Sequence, residues 1–447
     1  MAKTIKYELS DLDKMGIMKT VKVVVFYELQ PTVDIDKLIS SVTEGVKNAI
    51  RQLPFMAGNV QFDGVKPYIE VPVGSELEVG IRRYGSMEHQ PFSSLAQGSF
   101  SPNDADFAQF LPDEPTAQRP ACLLQVSIIE GGLVLGLRVN HAAGDWVSID
   151  TFLSLVCQSS KARQEGLEMP AYTPDLNRAP YNTPAPDPAI TRQDRLGKLP
   201  IFYVMEKSQF KPPPPPPPSR SSIYKISEPA IQQLKAQCAP HLTKVDYISS
   251  YDCISALVWK SLTRARLQIH PEKTTSPSRF VHPIDVRSRD PEKKTSNKYF
   301  GNAVIGSQAG PLAAEAVVSD GDRGLAAAAT LIRESVKSVN LSTIGHMTSL
   351  IASLAHTETL GSNADFTNMD FFMNTWYSGS AQKYDIGAGA VPVACRPHDT
   401  MLGSCMILPN FSRGETKIFE VLITATIEES EFLKKDAEFL KYFEPIV

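Results

Sequence analysis

The chain has 447 residues, of which 42% are hydrophobic and 21% charged, and its formal net charge is −4 at pH 7. This length predicts two domains, and the composition is ordinary for a water-soluble globular protein. The negative charge argues against nucleic acid or an anionic membrane as a partner, and no apolar run approaches the roughly 20 residues that span a bilayer. The N-terminus lacks the apolar segment of a signal peptide and the six cysteines form no CxxC pair, so we expect reduced thiols and a cytoplasmic location.

The first part of the chain is predicted to alternate strands with one long helix. A β-rich run at 22–27 comes first, and Asp34 then caps an amphipathic helix of about five turns. Short strands are predicted around Val60 and over 68–71. Residues 85–120 are rich in Ser, Pro, Gln and Asp, which favours a long, partly irregular loop.

A predicted hairpin delivers a histidine to the end of an apolar strand. Residues 124–128 and 133–141 pair through a glycine-containing turn, so that the two-residue period places His141 on the same face as four apolar side chains. Three small residues and Asp145 follow, and a helical pattern begins after Asp145. An imidazole with a pKa near neutrality in an apolar cleft can take a proton from an alcohol or amine at pH 7, and the small residues leave room for reactants.

Other interpretations of residues 141–145 stay open at this point. A histidine at a strand end is often a hydrogen-bonded core residue, and Asp145 can serve simply as the N-cap of the helix that follows. A metal pair would need a further His or Cys at ligand spacing, which the sequence lacks. We therefore predict no metal site.

A proline-rich stretch separates the two halves of the chain. Residues 170–218 are dense in proline and polar residues and end in seven consecutive prolines, which favours an extended polyproline spacer. An SH3-type ligand is the alternative function of such a run. We predict an N-terminal domain over 1–195, a crossover linker over 196–220 and a C-terminal domain over 221–447.

The second half again mixes strands and helices, which predicts a two-domain α/β architecture. Strands are predicted over 221–226, 279–286, 370–377, 401–408 and 417–427. Helices are predicted over 228–238, 246–266, 325–339 and 429–443.

Five short motifs stand in order along the chain. They are LPFMAG at 53–58, HAAGD at 141–145, SALVWK running to the arginines of 264–266, DVRSR at 285–289 with YFGN at 299–302, and DIGAG at 385–389 with Thr375-Trp376 upstream. Together they resemble the BAHD-type acyltransferases, in particular the fungal branch that includes trichothecene 3-O-acetyltransferase. The last motif departs from the family's DFGWG, because Ile386 and Ala388 replace Phe and Trp and one extra residue precedes Pro392.

The resemblance implies an α/β fold of two chloramphenicol-acetyltransferase-like domains with a channel between them, the first domain completed by a segment near 375–405. It implies an enzyme that moves an acyl group, most simply acetyl, from acyl-CoA to a hydroxyl of a small secondary metabolite such as a terpenoid or alkaloid. His141 would act as a general base without an acyl-enzyme. Acyl-CoA would be a cosubstrate, no cofactor would be bound permanently, and a monomer is the family expectation.

The resemblance also implies supporting roles for other residues. Asp145 would orient the turn by pairing with an arginine, Arg287 in first place and Arg289 in second. Asn302 would buttress the imidazole or line the channel, and Trp376 would donate its indole N–H toward the oxyanion or acceptor. Ordinary turn and core packing are the alternatives for these two residues.

Two further sets of residues follow from the resemblance. Asp385, Gly387 and Gly389 would form a structural motif away from the chemistry, with the glycines serving a backbone turn. The candidates for binding CoA are Lys244, Ser249, Ser250 and Arg396.

Two competing functions stay open. For a catalytically silent small-molecule-binding protein of the same fold, the departures in 385–389 argue in favour and the intact His141 and Asp145 argue against. An N-acyltransferase or condensation-type enzyme is the other alternative, although condensation domains carry a double-His signature where this chain has Asn140. Hydrolysis of the thioester by water is the side activity to exclude.

Overall fold

The computed structural model describes residues 3–64, 66–103, 105–182, 189–212, 214–289, 296–319, 321–377, 381–411 and 416–446. The chain forms two compact units. Unit 1 comprises Met1–Ala185, Asp290–Val304 and Ser378–Asp399. Unit 2 comprises Pro186–Arg289, Ile305–Tyr377 and Thr400–Val447.

Helices and strands alternate along both units. The helices are α1 (Ile35–Gln52), α2 (Phe92–Gln97), α3 (Trp146–Glu165), α4 (Arg192–Gly197), α5 (Glu228–Cys238), α6 (Ser250–Ile269), α7 (Ala314–Val317), α8 (Gly321–Ser338), α9 (Leu341–Ala352), α10 (Ile427–Leu433) and α11 (Ala437–Leu440). The strands are β1 (Thr4–Glu8), β2 (Thr20–Glu28), β3 (Asn59–Phe62), β4 (Pro67–Pro72), β5 (Val79–Arg83), β6 (Cys122–Ile129), β7 (Gly132–Asn140), β8 (Phe202–Glu206), β9 (Ser219–Ser227), β10 (Pro277–Asp285), β11 (Val304–Ala313), β12 (Glu358–Ser362), β13 (Phe371–Thr375), β14 (Val391–Pro397), β15 (Ser404–Ile407), β16 (Ile418–Thr426) and β17 (Glu444–Pro445). The prediction of a mixed α/β fold is confirmed.

Unit 1 is built on a five-stranded sheet in the order β14-β2-β7-β6-β5, beside a three-stranded sheet β1-β4-β3. Strand β7 pairs antiparallel with β2 on one side and β6 on the other, in the register Thr20↔Asn140 and Cys122↔Val139. Strand β14 joins the sheet by antiparallel pairing with β2. Both faces of β7 are buried, which is why its sequence is nearly continuous in apolar residues rather than strictly alternating.

Different elements cover the two faces of this sheet. On one face, Phe26 of β2 packs against a cluster of aromatic residues from 92–110. On the other face, the Tyr27 hydroxyl meets the Cys157 thiol of α3 at 3.4 Å. The region 85–120, predicted as a loop, is irregular but contains α2 and a short 3-10 helix and supplies core rings to the sheet. Because this region is rich in polar residues, its sequence did not indicate that its aromatic side chains pack in the core.

The two long helices of unit 1 begin where the sequence predicts. Asp34 accepts a hydrogen bond from the Lys37 amide at 3.0 Å and so caps α1. Asp145 caps α3. The helices pack closely, because Gly45 on α1 would place a Cβ only 2.4 Å from the carbonyl oxygen of Val156.

Unit 2 is built on a seven-stranded sheet in the order β11-β10-β13-β15-β16-β9-β17. Helices α5, α6 and α8 contribute to a core in which Trp259 is completely buried. Its indole N–H donates to the Ser278 hydroxyl at 2.8 Å, so the polar atom of this large ring is satisfied. Trp259 is therefore a core residue, as its helical spacing predicts.

Two regions differ from the sequence predictions. Strand β8 (202–206) lies inside the stretch predicted as a linker over 196–220 and pairs antiparallel with β12, far along the chain. The single helix predicted over 429–443 is instead α10 and α11, because Asp436 accepts the Glu438 amide at 3.1 Å and starts a new helix. Asp436 is also held by Arg264 at 2.8 Å. The first difference depends on a strand distant in sequence, and the second combines a local cap with a distant arginine.

The remaining sequence features lie as follows. All six cysteines are free and buried, and burial raises the pKa of every thiol, that of Cys157 to about 12. The prolines of 212–218 that the structure describes are exposed. Within the described ranges, no helix is both long and apolar enough to cross a membrane. Those same ranges contain no group of three His, Cys, Asp or Glu side chains that could hold a metal ion.

Candidate active site

Hydrogen bonds of Asn140, the last residue of β7, stabilise the turn at 141–145. Asn140 donates from Nδ2 to the Ile17 carbonyl at 3.0 Å and accepts the Ala142 amide on Oδ1 at 3.0 Å. Its own carbonyl accepts the Ala143 amide at 2.8 Å. The His141 amide donates to the Lys19 carbonyl at 2.8 Å, so the histidine main chain is tied to the segment before β2.

His141 is half-buried, and its two ring nitrogens are not equivalent. Nδ1 is fully buried and has no side-chain or main-chain hydrogen bond of ordinary geometry within the described residues. Burial lowers the pKa of His141 below its ordinary value, while its own main chain and the carboxylates of Asp145 and Asp13 oppose that shift. Burial therefore favours the neutral imidazole.

Asp145 is an N-cap, but it does more than cap. One carboxylate oxygen accepts the Ser148 amide at 3.3 Å, and the other accepts the Ala303 amide at 2.9 Å. Its own amide donates to the Gly301 carbonyl at 3.3 Å. The side chain is buried, with 2% of the residue exposed, so Asp145 fixes the end of the histidine turn to residues 301–303.

The YFGN segment is held through three consecutive main-chain amides. The Gly301 amide donates to the Ser148 hydroxyl at 3.0 Å, the Asn302 amide to Asp13 at 2.7 Å and the Ala303 amide to Asp145 at 2.9 Å. Each amide is thus accepted by a different side chain. This arrangement joins residues 10–17, the histidine turn and residues 299–303 into one buried network.

Sequence reasoning missed several members of this network, including Asp13 and Gly16. Asp13 is completely buried, and Gly16 lies against the histidine main chain, where a Cβ would come 2.4 Å from the His141 carbonyl carbon. The available signal was Ser10 followed three residues later by Asp13, the spacing of a capping box. The structure shows this reciprocal pair, with the Asp13 amide donating to the Ser10 hydroxyl and the Ser10 amide donating to the Asp13 carboxylate.

The other predicted supporting residues are buried. Asn302 has a buried Oδ1 atom with no hydrogen-bond partner within the described residues, and its Nδ2 donates to the Leu12 carbonyl at 3.5 Å. Arg287 donates to Asp285 from its main-chain amide at 2.9 Å and from Nη1 at 3.2 Å. Trp376 follows β13, and its amide donates to the Ile407 carbonyl at 2.8 Å. The pairing of Asp145 with Arg287 and the role of the Trp376 indole stay predictions.

The DIGAG motif is docked on α3. The Ile386 carbonyl accepts hydrogen bonds from the side chains of Ser160 at 2.9 Å and Gln164 at 2.6 Å, and Asp385 pairs with Lys161 at 2.7 Å. The φ angle is +85° at Gly387 and +73° at Gly389, a conformation that favours glycine. The residues that match the family at these positions are the ones the backbone turn requires.

The candidates for CoA binding have different environments. Lys244 is exposed, and Ser250 is the first residue of α6. The Ser249 hydroxyl already accepts the Asp252 amide at 3.3 Å as the N-cap of α6. Arg396 is only 3% exposed and donates to the carbonyls of Phe100 and Cys395.

The expectation for Arg396 requires correction. It also donates to the Ser99 carbonyl at 3.1 Å, so its guanidinium holds the irregular segment beside the sheet of unit 1. A buried guanidinium that binds three carbonyls does not suit the solvated phosphates of CoA, and we do not retain Arg396 as a CoA ligand.

Comparison with known proteins identifies the family of this chain. Residues 3–440 match the model of the Transferase family. The acyltransferase cm3D of Cordyceps militaris is 24% identical, over 98% of this chain and 96% of its own length. The trichothecene 3-O-acetyltransferase TRI101 of Fusarium sporotrichioides is 23% identical, over 91% of this chain and 89% of its own length.

A solved structure shares the fold. TRI101 of F. graminearum, complexed with coenzyme A and T-2 mycotoxin, superposes with a TM-score of 0.81 at 19% identity and covers 99% of this chain and 100% of its own. The two-domain architecture expected from the sequence motifs is therefore confirmed at the level of the fold. With the family model spanning nearly the whole chain, the protein belongs to the Transferase family of BAHD-type acyltransferases and is an acyltransferase.

Proposed function

We propose that the protein transfers an acetyl group from acetyl-CoA to a hydroxyl of a small secondary metabolite, a terpenoid or an alkaloid, with His141 as the general base. The observation that carries this proposal is the state of His141. Its main-chain amide donates to the Lys19 carbonyl and its carbonyl lies against Gly16, its Nδ1 is buried, and burial lowers its pKa, which favours the neutral ring that can accept a proton.

The reaction follows from this arrangement. Nε2 of His141 removes the proton of the acceptor hydroxyl while the oxygen attacks the thioester carbonyl. A tetrahedral oxyanion forms, the C–S bond breaks, and the imidazolium returns the proton to the sulfur, which yields the ester and free CoA. No acyl-enzyme is needed, and the buried thiols with raised pKa values are poor nucleophiles.

Asp145 acts on this reaction through structure and charge. Its two oxygens accept main-chain amides, so it fixes the turn that carries His141. Its negative charge also raises the pKa of His141, which limits the effect of burial. The base therefore keeps enough proton affinity to abstract a proton while remaining neutral before the reaction.

The nature of the two substrates is supported by the relatives. TRI101 of F. sporotrichioides is named as a 3-O-acetyltransferase of trichothecenes, and solved TRI101 structures contain coenzyme A with T-2 or deoxynivalenol. On the donor side we propose Lys244 and the start of α6 at Ser249 and Ser250 as CoA contacts, because an exposed ammonium and a helix N-terminus both favour phosphate.

The proposal is tested by release of free CoA from acetyl-CoA, followed with a thiol reagent, in the presence of a panel of hydroxylated terpenoids and alkaloids. We expect release that depends on the acceptor and yields an acetyl ester detectable by mass spectrometry. Release without acceptor would indicate thioester hydrolysis. No release with any acceptor, together with tight binding of the small molecules, would support a silent binding protein instead.

A further inference from the structure

Residues 10–17 contain a buried carboxylate that is bound both by its own segment and by a segment far along the chain. Asp13 is completely buried, in a short 3-10 helix at Asp13–Gly16. Its Oδ2 accepts the amide and the hydroxyl of Ser10, at 2.6 and 2.8 Å, and its Oδ1 accepts the Asn302 amide at 2.7 Å. Burying a carboxylate is costly unless its charge and lone pairs are satisfied. The three donors to Asp13 reduce this cost.

One cation compensates the buried charge. Arg178 places Nη1 4.0 Å from Oδ2 of Asp13 and donates from the same nitrogen to the Phe300 carbonyl at 2.6 Å. Its guanidinium also lies over the Tyr299 ring, 5.1 Å from the centroid. Burial holds the pKa of Asp13 above its ordinary value, although Arg178 and the three donors oppose that shift and favour the ionised form.

The segment that carries Asp13 is also the support of the histidine main chain. The Ile17 carbonyl accepts Asn140 and the Lys19 carbonyl accepts the His141 amide. Gly16 leaves no room for a side chain, because a Cβ would come 2.5 Å from the Ala142 nitrogen. The same short segment thus contacts the histidine turn directly and binds residue 302 through Asp13.

We propose that Asp13 is a second positioning carboxylate for His141, which acts together with Asp145 by holding the adjacent amides of Asn302 and Ala303 and thereby fixes the turn against residues 10–17. The two carboxylates hold consecutive amides of one segment, and each also belongs to an element that contacts the histidine turn. Displacement of either amide would therefore move the support of the imidazole.

The inference rests on the proposed role of His141 as the base, and it has an electrostatic consequence. Among the charged groups of the described residues, Asp145 and Asp13 raise the pKa of His141 and Lys19 lowers it. The carboxylate form of Asp13 raises the pKa of His141, so replacing Asp13 by Asn lets that pKa fall further below its ordinary value. The acidic limb of kcat/KM would then move to lower pH, a shift that loss of packing alone does not produce.

The test compares Asp13→Asn with the wild-type protein and with Asp370→Asn. Asp370 is a matched control in unit 2, because its oxygens accept the amides of Arg279 and Asp365 and face the Arg279 guanidinium. We expect Asp13→Asn to lower kcat about tenfold to hundredfold, since misplacement of a base by about 1 Å costs rate steeply. KM for acetyl-CoA should change less than about twofold, and the acidic limb should move to lower pH.

Asp370→Asn should lower thermal stability. Its kcat per folded molecule and the acidic limb of its kcat/KM profile should both match those of the wild-type protein. Ser10→Ala, which removes one hydrogen bond to Asp13, is the milder variant should Asp13→Asn fold poorly, and we expect a smaller loss of kcat in the same direction. If both variants at 10–13 match Asp370→Asn in kcat and in the pH profile, Asp13 serves only the fold and the inference is overturned.

The proposed function is checked separately in the same experiment. If His141→Ala keeps acyl transfer, the assignment of the base fails, and this inference fails with it. If His141→Ala is inactive while Asp13→Asn and Ser10→Ala behave like the wild type, only the inference about Asp13 is wrong.

Discussion

Two histidines, one in each unit, show how the same side chain is used in opposite ways. His282 in β10 is completely buried, and its two ring nitrogens are 2.9 Å from the Tyr251 hydroxyl and 2.8 Å from the Ser335 hydroxyl. His141 is half-buried, and its Nδ1 lacks a partner of ordinary geometry within the described residues. The surrounding structure contacts His141 through its main chain, at the Lys19 carbonyl and at Gly16.

The difference separates a structural histidine from a candidate base. A ring with both nitrogens occupied can neither take up nor release a proton without breaking a buried hydrogen bond. A ring whose position is fixed by the main chain keeps one nitrogen free for a reactant. The environment of the nitrogen atoms, and not burial alone, therefore distinguishes the two roles.

The largest expected effect is loss of activity on replacing His141. We expect His141→Ala to lower kcat/KM by about 10²- to 10⁴-fold, the contribution of a general base, with little change in thermal stability. Steady-state kinetics of acceptor-dependent CoA release, with circular dichroism to confirm folding, measure this. His398→Ala is the control, because His398 is a partly exposed residue of unit 1 that contacts Asp399. Equal activity of the His141 variant and the control would contradict the assignment.

Gly16→Ala tests whether the main chain beneath His141 matters. The added Cβ would overlap the His141 carbonyl group, so the turn must move, and we expect kcat to fall about tenfold to hundredfold. Gly45→Ala is the matched control, since its Cβ would meet the main chain of α3 at 2.4 Å, far along the helix from Asp145. It should destabilise the protein but keep kcat per folded molecule. Similar kcat losses in the two variants would argue against a specific support.

His282→Gln tests the structural histidine through stability. Burial and the positive charge of Arg333 lower the pKa of His282 from 6.5 to about 3, so the unfolded chain binds a proton more readily than the folded one. This contribution to stability is complete above pH 6.5 and is lost as pH falls from 6.5 toward 3. We expect the variant to lose about 1–3 kcal/mol at pH 7 and to show a flatter dependence on pH.

The measurement is the free energy of unfolding, from denaturant titrations across that pH range, together with kcat at neutral pH. The folded fraction of the His282 variant should turn over normally. A large loss of kcat per folded molecule would remove the contrast between the two histidines.

Lys244→Ala is expected to have the smallest effect. An exposed ammonium contributes about 0.2–1 kcal/mol to an ionic contact, so KM for acetyl-CoA should rise by about fivefold at most, with kcat unchanged. The increase should shrink at high salt, because salt screens exposed charges. Lys207→Ala, which removes another surface lysine of unit 2, should leave KM unchanged. A KM for the Lys244 variant equal to that of the control would exclude Lys244 from the donor site.

Much of the fold could be predicted from local patterns. The cap at Asp34, the hairpin of β6 and β7 and the N-cap at Asp145 all depend on residues close in sequence. The motif order along the chain gave the family, because each motif retains the residues that its backbone turn or its chemistry needs. Strand β8 could not be predicted, since its partner lies far along the chain. The break at Asp436 is capped locally, and the distant Arg264 also binds this carboxylate.

The sequence by itself determined that this chain carries a histidine at the end of an apolar strand, with a capping carboxylate four residues later. Local hydrogen bonding and side-chain periodicity are enough to specify that arrangement. Only the tertiary structure decided which distant groups support it. Asp13, Gly16 and the amides of 301–303 come together because a buried carboxylate and buried amides must satisfy one another, whatever their separation in sequence. Both nitrogens of His282 meet this requirement, whereas the buried Nδ1 of His141 has no partner of ordinary geometry within the described residues.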